Sequence, residues 1–271
     1  MGIEPTLVAW EATVLPLNYT RASKLSPKLG NLATSRPPLA PLMNLPDPSS
    51  PGPRAVRSFV LRAGRITVAQ QRALVELWPR LGVAFEPHAL DLRALFGRAA
   101  PRVLEIGFGD GELLCDMARR FPEQDFIGVE VHEPGVGHCL LLIEKLGLSN
   151  VRLIRHDAVE VLREQVPDAS LAAVNLFFPD PWPKKRHHKR RIVQPDFMRL
   201  VAAKLQPDGQ FRMATDWAPY AEHAAEVLAA SPAFAAVPDA DLTRCDTKFE
   251  RRGERLGHNV SDRVWRRSTT E

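Results

Sequence analysis

Between residues 103 and 229, five short apolar runs alternate with five helical segments, and this rhythm restricts the fold more than any other feature. The runs are "VLEIG" (103–107), "DFIGVEV" (125–131), "VRLIRHD" (151–157), "LAAVNLFF" (171–178) and "GQFRMATD" (209–216). Helical patterns follow at 111–121, 135–147, 158–165, from Pro195 to about Leu205, and at 218–229. Strand and helix in strict alternation predict an α/β protein whose central sheet is mostly parallel, with helices on both faces. A further helix is predicted upstream. Thr67 can cap it, and Val68, Leu74, Val75 and Trp78 would share one face as it runs to about Arg80.

Such sheets bind ligands beyond the C-terminal ends of their strands. That rule gives meaning to five acids. Glu105, Glu130, Asp157, Asp180 and Asp216 each fall at or just past the end of a predicted strand, so they should line one crevice. The first strand runs into "EIGFGDGE" (105–112), with Gly107, Gly109 and Gly111. Glycine permits positive φ and close approach of the backbone to a ligand. The dinucleotide pattern GxGxxG fails, because Glu112 stands where its third glycine belongs. A ligand without a pyrophosphate fits better. Glu130 can accept both ribose hydroxyls of a nucleoside, Asp157 an adenine amino group, and Glu105 can face a cationic part. S-adenosylmethionine, a cationic nucleoside, matches that set better than NAD.

The fourth strand leads into "FFPDPWPKKRHHKRR" (177–191). Asp180 sits between two prolines, Trp182 follows, and six of the next nine residues are Lys or Arg. Lys184, Lys185, Arg186, Lys189, Arg190 and Arg191 suit a polyanion at the ligand edge. Six phosphates neutralised on a folded RNA give a log–log salt slope of roughly −4 to −5. The acid needs a different task. A guanine shows N1–H and N2–H₂ donors on its Watson–Crick edge, and a carboxylate accepts both. N7, a lone-pair acceptor on the other edge, would then face a methyl donor. Transfer to N7 removes no proton and leaves positive charge on the base, which a nearby carboxylate stabilises. Trp182 is placed equally well for stacking on a base or for packing. His187 and His188, inside a basic run, are expected at the RNA or in solvent rather than in acid–base work.

Composition narrows the rest. Ten of the 24 prolines fall between Pro5 and Pro53, with no sustained helical or strand period, so residues 1–55 are expected to be a disordered extension. Residues 56–271 then form the single catalytic domain. Cys115, Cys139 and Cys245 make no CxxC pair, so neither a disulfide framework nor a metal site is expected, and a reducing cytoplasm is the default. No apolar run approaches the ~20 residues of a membrane span. The formal net charge of +4 is modest, and its excess is local.

Seven blocks together resemble a known family. "RSFVLRAGRIT" (57–67), "LEIGFGDGELL" (104–114), "GVEVHEPGVG" (128–137), "HDAVEVL" (156–162), "FFPDPWPKKRHHKRRIVQPDF" (177–197), "MATDWAPYAEH" (213–223) and "TKFERRGERLGH" (247–258) stand in the order of the bacterial tRNA (guanine-N7)-methyltransferases. The resemblance implies a Rossmann-like class I methyltransferase with a seven-stranded sheet, acting on a guanine of the tRNA variable loop. It implies S-adenosylmethionine contacts at Glu105, Glu130, Asp157 and Asp180, with Asp180 the key active-site acid. Substrate contacts would fall at Lys184, Asp216, Thr247, Lys248, Phe249 and Glu250, and RNA contacts at Arg186, His187, His188, Lys189, Arg190 and Arg191. Pro183 stands where some members carry His, and the tail "NVSDRVWRR" (259–267) matches only loosely. Three rivals remain at this point: a methyltransferase for exocyclic amines, an RNA-binding module without cofactor, and a dehydrogenase. The single proline after Asp180, the intact acid set and Glu112 weigh against them in turn.

Overall fold

The computed structural model describes residues 57–60, 64–238 and 259–268. The expected extension over 1–55 lies outside them, as do Thr247, Lys248, Phe249 and Glu250.

Helix α1 (Val68–Glu76) starts where the sequence places it. The Thr67 hydroxyl accepts from the Gln70 N–H, and the Gln70 side chain accepts from the Thr67 N–H at 2.8 Å. Such a reciprocal cap contributes about 1 kcal/mol. The expected apolar face is wrong. Val68 is 87% exposed and Val75 52% exposed, while Ala73, Leu74 and Leu77 are buried. The helix ends at Glu76, and a separate turn, α2 (Trp78–Leu81), begins around Pro79. The face therefore does not continue to Trp78.

The sheet holds β1 (Gly82–Val83), β2 (Arg102–Ile106), β3 (Asp125–Val129), β4 (Val151–Ile154), β5 (Leu171–Phe177), β6 (Leu205–Thr215), β7 (Phe234–Val237) and β8 (Ser261–Arg267). Their spatial order is β1-β4-β3-β2-β5-β6-β8-β7. The first six pair in parallel, and β8 runs antiparallel to both β6 and β7. Seven strands were expected, and the two-residue β1 at the far edge is the addition. The tail that matched the family loosely is β8. The Arg212 guanidinium donates to both Asp262 oxygens, at 3.0 and 2.7 Å, and fixes it beside β6.

Alternation along β2 sets the layers. Leu104 and Ile106 join the larger core with Val161, Phe197, Val201, Phe211 and Trp265. Val103 joins the other with Leu114, Cys139, Leu140 and Leu153. Helices α3 (Leu92–Phe96), α6 (Ala158–Glu164), α7 (Pro195–Lys204) and α8 (Ala218–Ala229) supply the first face. Helices α1, α4 (Glu112–Arg120) and α5 (Glu133–Leu146) supply the second. Chain order runs β2, β3, β4 to one side and β5, β6 to the other, so the sheet reverses between β2 and β5. Ligands bind at such a reversal.

Candidate active site

Five parallel strands in unbroken spatial order present the acids. Asp157 follows β4, Glu130 follows β3, the glycine loop follows β2, Asp180 follows β5 and Asp216 follows β6. At the ordinary spacing of strands this rim is about 19 Å from end to end. Glu105 departs slightly from expectation. It lies inside β2, in register with Gly128 and Asn175, and is only 3% exposed. It is a buried carboxyl inside the strand, ahead of the glycine loop rather than on its lip.

The loop adopts the backbone its composition calls for. Gly107, Gly109 and Gly111 have φ of 71, 61 and 82°. A Cβ added at Gly107 would meet no atom within 4 Å, so the backbone there borders open space. At Gly111 a Cβ would lie 2.3 Å from Cys139 Sγ, so packing against α5 also requires glycine. Glu130 steadies this loop. Its Oε2 accepts from the Gly109 N–H at 2.9 Å, and its Oε1 accepts from Val131 and His132 N–H at 2.7 and 2.9 Å. A carboxylate has about four acceptor sites, which leaves one on Oε2 among the described residues. Asp157 is the N-cap of α6, accepting from Val159 N–H at 2.9 Å through Oδ1. Burial pushes its carboxyl above the usual range, and the Val159 N–H works against that rise. Both acids are thus structural first. Each keeps acceptor capacity among the described residues, and the backbone at Gly107 borders open space.

The Asp180 loop is strained on both sides. Phe178 and Trp182 hold φ of 48 and 46°, a region that bulky side chains rarely occupy. Such strain persists only where surroundings enforce it, and it concentrates at functional sites. Asp180 itself is exposed at the apex. Asp216 is half-buried, directly after β6.

The basic run forms a 3₁₀ helix, Lys185–Arg190, preceded by exposed Lys184. In this geometry residues three apart share a face. Arg186 and Lys189 share an exposed face, and Lys185 is also in solvent. His187 and Arg190 share the face turned to Trp182. The His187 ring meets the indole edge-on at 5.9 Å, and the Arg190 guanidinium lies 3.9 Å from the indole centroid. Trp182 is therefore a packing residue here. Its Nε1–H donates to the Ser58 carbonyl at 3.0 Å. Desolvation, then the charges of Arg186 and Arg190, push the His187 imidazolium below its usual pKa. His188 is half-buried, and Arg191 Nη2 lies 3.3 Å from its Nε2.

Arg191 corrects the expectation that it contacts RNA. It is 3% exposed. Its guanidinium donates to the Pro181 carbonyl at 3.0 Å and the Pro219 carbonyl at 3.1 Å, above the Tyr220 ring. Pro181 adjoins Asp180, and Pro219 lies three residues past Asp216. Arg191 thus ties the Asp180 segment after β5 to the start of α8, just past Asp216. Charge alone did not separate it from its neighbours. The three-residue period of a 3₁₀ turn would have placed His187 and Arg190 on one face, but nothing in the sequence announces that turn.

Comparison with known proteins bears on the family and the fold. A family model described as a putative methyltransferase matches residues 99–263. A tRNA (guanine-N(7)-)-methyltransferase of Halorhodospira halophila is 56% identical over 222 residues, covering 79% of this chain and 96% of the relative. One from Leifsonia xyli subsp. xyli is 56% identical over 216 residues, covering 78% and 95%. Among solved structures, the 16S rRNA methyltransferase KamB superposes with a TM-score of 0.50 at 18% identity, covering 66% of this chain and 93% of that one, a likeness of fold.

Proposed function

The chain belongs to the tRNA (guanine-N(7)-)-methyltransferase family, and from that premise we propose that its rim crevice moves a methyl group from S-adenosylmethionine to N7 of a guanine in the tRNA variable loop. One observation carries the reading. At the reversal of the sheet the backbone at Gly107 borders open space, and the strands on either side, β3 and β5, lead into Glu130 and Asp180.

When bound, S-adenosylmethionine supplies a methyl group on a sulfonium, an electrophile open to direct attack by the N7 lone pair. The protein's part is to hold and to screen. Backbone of the Gly107–Gly111 loop borders the cofactor closely, since no side chain intervenes at the glycines. Glu130 accepts a ribose hydroxyl through its remaining Oε2 site, and Asp157 accepts from the adenine amino group. Glu105, buried inside β2, contributes negative potential toward the cationic end. Asp180 accepts from the guanine N1–H and N2–H₂, which orients N7, and it stabilises the positive charge that develops on the base. Fixing the two reacting centres together supplies most of the remaining acceleration. Because no proton is removed, neither His187 nor His188 is required as a base. Lys184, Lys185, Arg186 and Lys189 neutralise tRNA phosphates. Asp216 and, from the resemblance, Thr247, Lys248, Phe249 and Glu250 complete the substrate side. Among the described residues no helix is long and apolar enough to cross a membrane. The free thiols of Cys115 and Cys139 suit a reducing cytoplasm.

Incubation with methyl-labelled S-adenosylmethionine and bulk tRNA, followed by nucleoside mass spectrometry, tests the assignment. N7-methylguanosine is the expected product. Label on an exocyclic nitrogen, or none in tRNA, overturns it.

A further inference from the structure

Arg190 stands in the basic run, yet its guanidinium is engaged inside the protein. Nε donates to the Arg57 carbonyl and Nη2 to the Phe59 carbonyl, each at 3.0 Å. The carbonyl between them, that of Ser58, accepts from Trp182 Nε1, and Arg190 stacks on that same indole. Three successive carbonyls are therefore held by two side chains from the Asp180 side. A few residues on, the chain meets the β3 side. A Cβ at Gly64 would lie 2.5 Å from His132 Nε2 and 2.8 Å from Pro134 Cγ, so the backbone there packs closely on those two side chains. Gln70 adds a second tie, its amide donating to the Pro134 carbonyl at 3.1 Å. His132 and Pro134 follow Glu130 directly, on the β3 side. Strands β3 and β5 flank β2, whose loop carries the glycines. Residues 57–59 are thus held from the Asp180 side, while Gly64 and α1 meet the β3 side. Arg57, at its start, acts electrostatically on Asp157.

We propose that Arg190 is a positioning residue for the cofactor: with Trp182 it pins residues 57–59 as an outer wall of the S-adenosylmethionine site, and it does not bind tRNA. The inference rests on the reading of the rim crevice as the S-adenosylmethionine site. Arginine suits the task because its planar fork can serve two carbonyls while its face stacks on an indole. A lysine keeps the charge but offers one point donor, so Arg190→Lys is not a conservative change here. An RNA contact made only through charge would tolerate it.

The test pairs two titrations on the full chain. S-adenosylhomocysteine binding is measured by calorimetry, and tRNA binding is followed across salt, for wild type, Arg190→Ala, Arg190→Lys, Trp182→Phe and Lys189→Ala. Arg190→Ala is expected to weaken S-adenosylhomocysteine at least tenfold and to leave the tRNA salt slope unchanged. Arg190→Lys is expected to stay within threefold of Arg190→Ala. Trp182→Phe removes one N–H and keeps a ring, so a smaller loss is expected, and it carries the test if Arg190→Ala does not fold. Lys189→Ala is expected to leave S-adenosylhomocysteine binding alone and reduce the slope by about 0.7–0.9. Two further readouts separate positioning from general structural damage. In Arg190→Ala, amide exchange should accelerate at residues 57–60 but not in β2 to β5. KM for S-adenosylmethionine should rise while kcat at saturation stays within threefold. Wild-type cofactor affinity in Arg190→Ala, or a slope reduced as in Lys189→Ala with cofactor affinity intact, overturns the proposal. Wild type that takes up no S-adenosylhomocysteine overturns the methyltransferase reading instead, and the proposal falls with it.

Discussion

Lys185, Arg186 and Lys189 stand in solvent, whereas Arg190 and Arg191, immediately beyond, have committed their guanidiniums to carbonyls of neighbouring segments. The two halves carry charge of the same sign and lie within seven residues. What separates them is the number of donors they keep for an outside partner. A solvated ammonium keeps its donors for phosphate, while Arg191 has used its fork to bridge the Asp180 and Asp216 loops. One half of the run therefore stands free for an outside partner, and the other is built into the protein around the Asp180 and Asp216 segments.

The comparison is broken most forcefully at Arg191. Arg191→Ala leaves the Pro181 and Pro219 carbonyls without their donor and opens a hole above Tyr220. A loss of about 3 kcal/mol in folding stability is expected, read from the urea midpoint. A stability change under 0.5 kcal/mol would return Arg191 to the solvent-facing half. The ring beneath it gives a second measure of how dry that half is. Burial pushes the Tyr220 phenol up to about 12, while Val193 N–H and the Arg191 charge pull the other way. The fold keeps this proton where the unfolded chain, near pH 10, has released it. Stability is then full below pH 10 and declines as pH rises from 10 toward 12, by roughly 2–3 kcal/mol from this group. Denaturation midpoints between pH 9 and 12, compared with those of Tyr220→Phe, would expose the decline. An equal decline in the variant would remove Tyr220 as its source.

The outer half should behave in the opposite way. Lys185→Ala with Lys189→Ala is expected to reduce the tRNA salt slope by about 1.5 and to leave stability within 0.5 kcal/mol of wild type. An unchanged slope would mean that these lysines do not touch phosphate. The smallest effect is at His187, where the two halves meet. Its imidazolium is disfavoured by desolvation and by surrounding cations, Lys189 among them. Lys189→Ala should move its NMR titration upward, toward the ordinary histidine value, and a downward move would contradict the placement of that lysine.

The central strands and the glycine loop were legible because buried parallel strands are continuous apolar runs, and loops that need positive φ need glycine. Strands β7 and β8 were not. The apolar residues Val264 and Trp265 of β8 are adjacent rather than alternating, and the Arg212–Asp262 pair that helps hold it joins residues fifty positions apart. Asp157 shows another limit. The sequence reading gave it a ligand only, and the structure shows that its side chain also caps α6. Pro79 starts a new turn, which is why the expected face of α1 does not reach Trp78; nothing in that turn explains the exposure of Val68 and Val75. Arg191 was misassigned because a sequence counts charges without showing which of them reach solvent.

The most direct measurement at the centre of the site is Asp180→Ala, assayed for methyl transfer and for tRNA and S-adenosylhomocysteine binding in the same preparation. Methylation should fall at least a hundredfold while tRNA affinity stays within about threefold of wild type, since one exposed carboxylate contributes little to binding a polyanion. Turnover comparable to wild type would contradict the role given to the acid at the apex of the strained loop.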